Sequence, residues 1–453
     1  MGSGNDDETA IDIESLVKEL LSMSCTQRGD ETGNKRSTCK IARLNEQMPN
    51  MVCIGPYYND PLHRMESEKM AVLVGTLPVD KQHKADMLTR LVNAIIAVEN
   101  EARDHYADRA NRMSRMDFVH MLILDGCYIL GKFVLPDCCS SDGGSKNGGR
   151  SAMQDTDLVR DVFYLVDNQI PFCVLNTMHK VLHGKIITSP TAVADVLFGH
   201  VREHLGKLGY SKLHVGNPSP CWHLLHLLHK HFQLTDNDAK VTAANDVGIS
   251  CGTVYRWRQA TQYHAAGVRL KKRRLGGSTA RTILDVKLEG LTLRVPSLTV
   301  DNNTCRMLRN LMALEQQNQS EIGNHVTAYC LFMSQIACTA SDVELLVKKG
   351  IIVHALRTDS DVAERLTALC SGVIIDLDEV THNYLCKTRK NLERIYKSRK
   401  VNCLTLPRRN PWLVVALLAT IVVLVCQLLQ AVYTTKSYYQ SLHGIDVMDK
   451  LAN

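Results

Sequence analysis

The feature that most constrains this chain is an uncharged apolar run close to its C-terminal end. From Pro411 to Tyr433 the sequence reads PWLVVALLATIVVLVCQLLQAVY. A helix needs about 20 apolar residues to cross the hydrocarbon core of a bilayer, and it satisfies its backbone hydrogen bonds internally. A buried helix of a soluble domain is the alternative, but such helices seldom run this long without a charge. We therefore predict a transmembrane helix over 410–434 and a short tail over 435–453, with membrane lipid around 411–433 as one partner.

The two flanks of the run differ in charge. Nine basic residues precede it: Lys387, Arg389, Lys390, Arg394, Lys397, Arg399, Lys400, Arg408 and Arg409. Among lysines and arginines, only Lys436 and Lys450 follow it. Because basic flanks tend to stay on the cytoplasmic side, we predict a single-pass membrane protein with the bulk of the chain in the cytoplasm. The basic flank is also suited to contact anionic lipid, and nothing in the sequence specifies which membrane is used.

Composition places the rest of the chain among folded proteins. The 453 residues suffice for two or three domains or one large one, with 45% hydrophobic and 22% charged residues. The net charge of +6 is accounted for by the basic cluster before the apolar run. We therefore expect no nucleic-acid partner from charge alone.

The cysteines and the N-terminus indicate a reducing compartment. The 16 cysteines are scattered, and no two of them have C-x-x-C spacing, which is typical of reduced, buried thiols rather than of a disulfide framework. The opening MGSGNDDETA is polar and acidic and does not resemble a secretory signal. Asp6 stands where a myristoylation motif needs Ser or Thr.

Apolar periodicity predicts a mainly α fold. We expect a disordered or linker region over 1–38 with a short amphipathic helix, then one large helical domain over 39–405 with a flexible loop at 138–155. Further helices are predicted over 88–106, over 121–130 in the core, over 157–174 with a break at Pro171, and over 192–205 with an end near Gly206.

Alternation from Ile283 to Val295, with a turn at Gly290, predicts a small β-hairpin. After it, we expect Asp301 to cap one helix, Ser341 with Glu344 to form a capping box, and Gly350 to end the helix that follows Ser341.

Several long blocks carry a family resemblance. They are VCIGPYYNDPLHRMESEK (52–69), MLILDGCYIL (121–130), VRDVFYLVDNQIPFCVL (159–175), ATQYHAAGVRLKK (260–272), ILDVKLEGLTLRVPSLTVDNNTCRMLRNLMALEQ (283–316) and NPW (410–412). In this order they resemble the plant family catalogued as domain of unknown function 247, over roughly 39–436. The chain departs from the family pattern at Tyr58 and Asn59, where a His pair is usual, at Val166-Asp167, where Leu-Glu is usual, and at Asn176, where Glu is frequent.

The resemblance implies a protein without an assigned activity, and links some grass relatives to self-incompatibility. We therefore predict a non-enzymatic, membrane-anchored interaction or signalling protein with an unidentified protein partner. We assign no catalytic, cofactor-binding or metal-binding residue, no cofactor and no small-molecule ligand. Residues that match the family blocks are interpreted as structural, namely as turns, a helix stop and amide side chains that satisfy buried backbone: Gly55, Pro56, Asp125, Gly126, Asn168, Gln169, Pro171 and Gly267. Asp125 in particular is expected to cap or hydrogen-bond a neighbouring element.

Two other functions stay open. A membrane-tethered enzyme would need a pocket with convergent titratable groups, for which Asp125, Asp167 and histidines are the candidates. A tethered DNA-binding factor would use 243–260, where AANDVGISCGTVYRWRQA resembles a helix-turn-helix whose second helix carries residues 255–258. Lys271 to Arg274 is too short for a convincing nucleic-acid tract.

The segment WHLLHLLHKHF (222–232) offers four histidines as metal ligands: His223, His226, His229 and His231. On one helix they spiral round its axis, whereas metal sites usually draw ligands from more than one element. The preferred interpretation is an amphipathic core helix with solvated or capping histidines.

Overall fold

A computed structural model describes most of the chain. The described residues are 15–20, 48–58, 66–106, 113–135, 152–183, 192–212, 221–233, 256–276, 280–373, 383–397 and 411–451. Of the predicted disordered or linker region over 1–38, only 15–20 lie within these ranges, and the predicted loop at 138–155 lies outside them up to residue 151. From Ala152 that loop is already helical.

Helices dominate the N-terminal half. They are α1 (15–20), α2 (Glu66–Thr76), α3 (Lys81–Asp104), α4 (Arg115–Ile129, continued by a π-helical turn over Leu130–Val134), α5 (Ala152–Tyr164), α6 (Phe172–His183), α7 (Ala192–Leu208) and α8 (Leu224–Lys230).

The C-terminal half mixes helices with short strands. In chain order these are α9 (Ala260–Ala265), β1 (Arg269–Arg273), β2 (Lys287–Glu289), β3 (Thr292–Pro296), β4 (Leu298–Val300), α10 (Asn302–Gln317), α11 (Gln319–Ile322), α12 (His325–Ile336), α13 (Ala340–Lys348), β5 (Ile352–His354), α14 (Asp359–Leu369), α15 (Cys386–Lys397) and α16 (Pro411–Leu451). The mainly α prediction is confirmed.

The predicted hairpin is confirmed between β2 and β3, which pair antiparallel around Gly290, whose φ is +57°. It is shorter than predicted, since 283–286 lie before the strand. Three further strands were missed: β1 pairs parallel with β3 in the sheet of the hairpin, and β4 pairs parallel with β5 in a separate two-stranded sheet. The basic residues from Lys271 therefore lie mainly in a strand.

Helix α4 lies at the centre of the core, as predicted. Every residue from Met121 to Leu130 is buried, so its apolar character on all sides is satisfied by protein. The amphipathic helix α1 joins the same core through Leu16, Val17 and Leu20.

The ends of three predicted helices need correction. The break predicted at Pro171 is confirmed, since α6 begins after it, but the helix before the break ends at Tyr164 and 165–171 are not helical. Helix α7 passes through Gly206 and ends before Gly209, whose φ of +72° stops it. The cap of α13 is Thr339, whose extended backbone and accepting side chain make it the N-cap, and not Ser341. Asp301 caps α10, and Gly350 follows α13 at φ +69°, both as predicted.

Helix α16 is longer than the predicted span. It continues through the predicted tail to Leu451. Within it, Val415–Tyr439 is long and apolar enough to cross a membrane, with a mean hydropathy of 2.5 and none of that stretch buried.

Candidate functional site

The segment 48–58, which forms neither helix nor strand, lies between helices and is held there by buried polar side chains; it is named the threaded segment. Asp161, on α5, is fully buried, and its Oδ2 accepts hydrogen bonds from the backbone N–H groups of Asn50, Met51 and Val52 at 2.7, 2.5 and 3.3 Å. Its Oδ1 accepts from the guanidinium of Arg160. The carboxylate thus satisfies amides that an irregular, buried segment would otherwise leave without partners.

Asn168 fixes the next part of this segment. Its Oδ1 accepts from the N–H of Ile54 at 2.6 Å, and its Nδ2 donates to the carbonyls of Val52 and Asp161, each at 3.0 Å. The side chain is fully buried. The prediction that this amide satisfies buried backbone is confirmed.

Gly55 ends the threaded part in a conformation that requires glycine. Its φ is +76°, and a Cβ added there would lie 2.6 Å from the carbonyl oxygen of Gln169. Its N–H donates to Oδ2 of Asp125 at 2.7 Å, while Lys69 Nζ donates to Oδ1 of the same carboxylate and to the carbonyl of Cys53. Asp125 therefore hydrogen-bonds a neighbouring element, as predicted.

Gln169 joins this assembly to α8. Its Nε2 donates to the carbonyls of Val162 and Leu165, and its Oε1 accepts from the N–H of Leu225 at 2.8 Å and lies 3.2 Å from Nδ1 of His223. The Tyr106 hydroxyl donates to the Gln169 carbonyl at 2.9 Å. One side chain thus connects α5, α8 and the segment before α6.

A cleft of about 460 Å³ opens beside these residues. It is lined by polar, titratable and aromatic side chains that come from well-separated parts of the chain: Tyr57, Asp104, His105, Tyr106, Asp167, Gln169, Pro171, Trp222, His223, Gln317, Asn318 and Glu321, with apolar Val166, Ile170 and Leu314. Its size and mixture of aromatic and polar groups are those of a binding site.

Burial shifts the pKa of three groups that line the cleft. Burial raises the pKa of Asp167, and it raises that of Tyr106 well above the usual range, with the charge of Asp125 adding to it. Burial lowers the pKa of His223 to about 3, helped by nearby His105. At neutral pH His223 is therefore a neutral imidazole, suited to hydrogen bonding rather than to holding a charge.

The residues considered for a tethered enzyme are only partly brought together. Asp167 and His223 share the cleft. Asp125 does not line it, because its carboxylate is enclosed with Lys69 and Gly55. The pKa of Asp125 is raised because desolvation outweighs the attraction of Lys69.

The four histidines around α8 point to separate partners. His223 is the N-cap of α8, His226 Nδ1 accepts from the N–H of Trp222, His229 binds Glu315 at 2.8 Å, and the ring of His231 stacks on Phe198 with centroids 3.8 Å apart. The core-helix interpretation is confirmed, with all four leucines buried. The expectation of solvated or capping histidines is confirmed for His223, which caps α8, but it is wrong that the others are solvated, because His226, His229 and His231 are buried.

A different cluster consists of three side chains of the types that bind metal ions. Glu101 and His105 lie one turn apart at the end of α3, and Cys173 lies in the first turn of α6. Their donor atoms all lie within 4.8 Å of one another. Sequence reasoning missed this cluster, since the i, i+4 spacing of Glu101 and His105 was the only local signal and Cys173 comes from a separate helix.

The described part of the proposed DNA-reading helix has another role. Residues 256–259 are not helical, Trp257 is buried against Phe332 with ring centroids 4.8 Å apart, and Arg258 binds Glu393 and lies over the Tyr396 ring. A recognition helix needs exposed side chains, so the helix-turn-helix interpretation is wrong for these residues. Residues 243–255 lie outside the described ranges.

Comparison with known proteins finds a relative that matches most of the chain and a second that matches part of it. UPF0481 protein At3g47200 of Arabidopsis thaliana is 24% identical over 454 residues, which covers 91% of this chain and 90% of the relative. Putative UPF0481 protein At3g02645 of the same plant is 31% identical over 172 residues, or 37% of this chain and 31% of the relative. No solved structure gives a significant match.

A family model described as a plant protein of unknown function, DUF247, matches residues 39–426. This range includes the threaded segment, every residue of the cleft and the beginning of the apolar helix. The resemblance found in the sequence blocks is confirmed, and the chain belongs to the DUF247 family.

Proposed function

We propose that this protein is a single-pass, membrane-anchored interaction protein, in which α16 crosses the bilayer and presents the helical body to the cytoplasm. The observation that carries the proposal is the exposure of the apolar stretch Val415–Tyr439, none of which is buried. An exposed apolar surface of this extent is unfavourable in water and is typical of a surface that meets lipid or a partner.

The contrast with α4 supports lipid as the surroundings of α16. Both helices are rich in apolar residues, but Met121 to Leu130 are enclosed by protein, whereas Leu417, Leu424 and Leu428 are 61%, 54% and 67% exposed. A helix that is apolar on all sides needs apolar surroundings, and a bilayer supplies them for α16. The basic residues before the helix favour a cytoplasmic body.

A charge in the middle of the span tests the anchor. The variant Leu424→Arg with Val422→Arg places two cations where each costs about 2.5–3.5 kcal/mol on insertion scales. The native chain should stay with membranes after alkaline extraction, and the double variant should be extracted. Val79→Arg is the control, because Val79 is fully exposed outside the span. A double variant that stays in the membrane would contradict the proposal.

The cleft is the surface proposed to bind the protein partner. Trp222, Tyr57 and Tyr106 line it together with Pro171, and aromatic side chains of this kind dominate the binding energy of many interfaces. A protein partner would place a side chain or a short loop here. The signalling role, including the link to self-incompatibility that the resemblance implies for some relatives, is part of this proposal.

Site-specific photo-crosslinking tests the choice of surface. A photoreactive phenylalanine analogue at Tyr57 should form a discrete adduct with one protein in plant cells, and Trp222→Ala should abolish it. The same analogue at Val79, outside the cleft, is the control. Equal adducts at both positions, or an adduct that survives Trp222→Ala, would argue against the cleft.

A membrane-tethered enzyme is the second candidate, favoured by Asp167 and His223 in one cleft. A carboxyl with a raised pKa beside a neutral imidazole is suited to general acid and base chemistry. Hydrolysis of a panel of ester, phosphoester and peptide substrates that is lost in Asp167→Asn, with the fold retained, would favour this candidate.

A further inference from the structure

The side chains of Glu101, His105 and Cys173 meet where α3 packs on α6, at the border of the cleft. Their ligand atoms, a carboxylate oxygen, an imidazole nitrogen and a thiol sulfur, all lie within 4.8 Å of one another. We propose that these three residues bind one Zn²⁺ ion. This site goes beyond the anchoring and partner-binding roles proposed above and does not depend on them.

The donor set favours zinc over the other common divalent ions. Cys, His and carboxylate ligands are the three kinds that bind Zn²⁺, whereas Mg²⁺ and Ca²⁺ take oxygen ligands. Bonds of about 2.0–2.3 Å in a tetrahedral site place ligand atoms about 3.5 Å apart. Starting within 4.8 Å, the three atoms need to move inward by about 1 Å at most, which rotation of exposed side chains supplies.

The ligands on the two helices differ in how far they are buried. Cys173 is half-buried on α6, while Glu101 and His105 are exposed on the last turn of α3. The half-buried Cys173 sulfur gives a fixed point, and the two exposed side chains can close on it. Ligands from two packed elements also meet the requirement that the α8 histidines fail, namely convergence on one point.

Three protein ligands leave one tetrahedral position for water or for a group of a bound molecule, as in catalytic rather than structural zinc sites. His105 also lines the cleft, so a ligand in the cleft lies next to the metal. A carboxylate or another anionic group of a cleft ligand is the chemistry expected at the fourth position.

Binding must displace a proton. Without metal, a cysteine thiol carries its proton at neutral pH, because its ordinary pKa is about 8.5. When zinc binds, the S–H bond breaks, the sulfur electron pair forms the S–Zn bond, and the proton passes to solvent. No oxidant or reductant is involved. Each bound ion should therefore release one proton.

The test is a zinc titration of the reduced, full-length protein in detergent, against a competing chromogenic chelator. Replacing zinc with Co²⁺ gives a second readout, the thiolate-to-cobalt charge-transfer band. Cys173→Ser, His105→Ala and Glu101→Gln should each weaken one stoichiometric site at least tenfold, and Cys173→Ser should also remove the cobalt–thiolate band. Glu101→Gln keeps the protein testable if Cys173→Ser fails to fold, because Glu101 is exposed.

Matched controls separate this site from metal bound at other thiols or imidazoles. Cys370→Ser changes another half-buried cysteine, and His83→Ala changes an exposed histidine near the start of α3. Both should bind zinc like the native chain. Equal affinity in Cys173→Ser and Cys370→Ser, or a Glu101→Gln variant that binds zinc as tightly as the native protein, would overturn the proposal.

Discussion

Lys69 and Asp125 form an ion pair inside the core, with Nζ and Oδ1 2.5 Å apart and side chains that are 9% and 1% exposed. The pair lies where α2 and α4 meet, and Asp125 also accepts from the N–H of Gly55. It therefore fixes the threaded segment 48–58 against the central helix. Because both charges have been removed from water, each one depends on the other for compensation.

Replacing only one residue of this ion pair should strongly destabilise the protein. Asp125→Leu leaves the Lys69 ammonium buried without its counterion and should lower the free energy of unfolding by about 3–5 kcal/mol. Adding Lys69→Met should restore part of the loss, because no charge then remains buried. Urea unfolding of the full-length protein in detergent, followed by Trp222 and Trp257 fluorescence in a Trp412→Phe background, measures both. As a control, Glu203→Gln, which breaks an exposed pair with Lys207, should cause no measurable change.

The side-chain amide of Asn168 should stabilise the folded protein nearly as much as the Lys69–Asp125 ion pair does. Asn168→Leu removes three hydrogen bonds and leaves the Ile54 N–H and the Val52 carbonyl without this partner in the interior. We expect a loss of about 1–3 kcal/mol in the same unfolding measurement. Gln82→Leu, which removes an exposed side-chain hydrogen bond, is the matched control. An unchanged midpoint for Asn168→Leu would show that the amide does not hold the segment.

Two glycines separate the effect of backbone conformation from that of a steric clash. Gly290 has φ +57° and open space around it, whereas Gly55 has φ +76° and a carbonyl 2.6 Å from the added Cβ. Gly290→Ala should cost about 1–2 kcal/mol, the usual penalty of the left-handed region. Gly55→Ala should cost clearly more, because the Gln169 backbone must also move. Equal shifts in the unfolding midpoint would refute the proposed close approach.

Buried histidines should make the body sensitive to acid. Burial lowers the pKa of His223 and of His226 to about 3, from an ordinary value near 6.5. Between these values the unfolded chain binds protons that the folded chain excludes, so stability is full above about pH 6.5 and falls as the pH decreases. The slope is at most about 1.4 kcal/mol per pH unit for each histidine.

His226→Asn tests this assignment, because an amide oxygen can still accept from the Trp222 N–H. The loss of stability between pH 7 and pH 5 should be smaller in His226→Asn than in the native protein by about one histidine's contribution. His83→Asn, at an exposed position, should keep the native pH dependence. An unchanged pH dependence in His226→Asn would mean that this residue is not the acid-sensitive group.

Sequence patterns correctly located those elements that are determined by residues close together in the chain. The core helix over 121–130, the hairpin turn at Gly290 and the cap at Asp301 are each determined by neighbouring residues, and all three are confirmed. The cap of α13 was misplaced by two residues, because Thr339 and Ser341 are equally good caps by type and only the backbone conformation distinguishes them.

The site was far less predictable, because it depends on contacts between distant parts of the chain. Asp161 binds amides about 110 residues earlier, and the pairing of β1 with β3 is a parallel, non-local one. No periodicity encodes these partners. The same holds for Cys173, which meets the other proposed zinc ligands only when α6 packs on α3, and for Trp257, whose burial no local pattern indicated.

Protease protection is the most direct test of the membrane-anchored account. The full-length protein carries one epitope tag at each end, and the accessibility of both tags is compared on intact cells and on sealed vesicles with the cytoplasmic face outward. The account predicts that the N-terminal tag and the body are digested only when the cytoplasmic face is exposed, while the C-terminal tag is protected there. Digestion of the body from the opposite face, or of both tags from the cytoplasmic face, would contradict it.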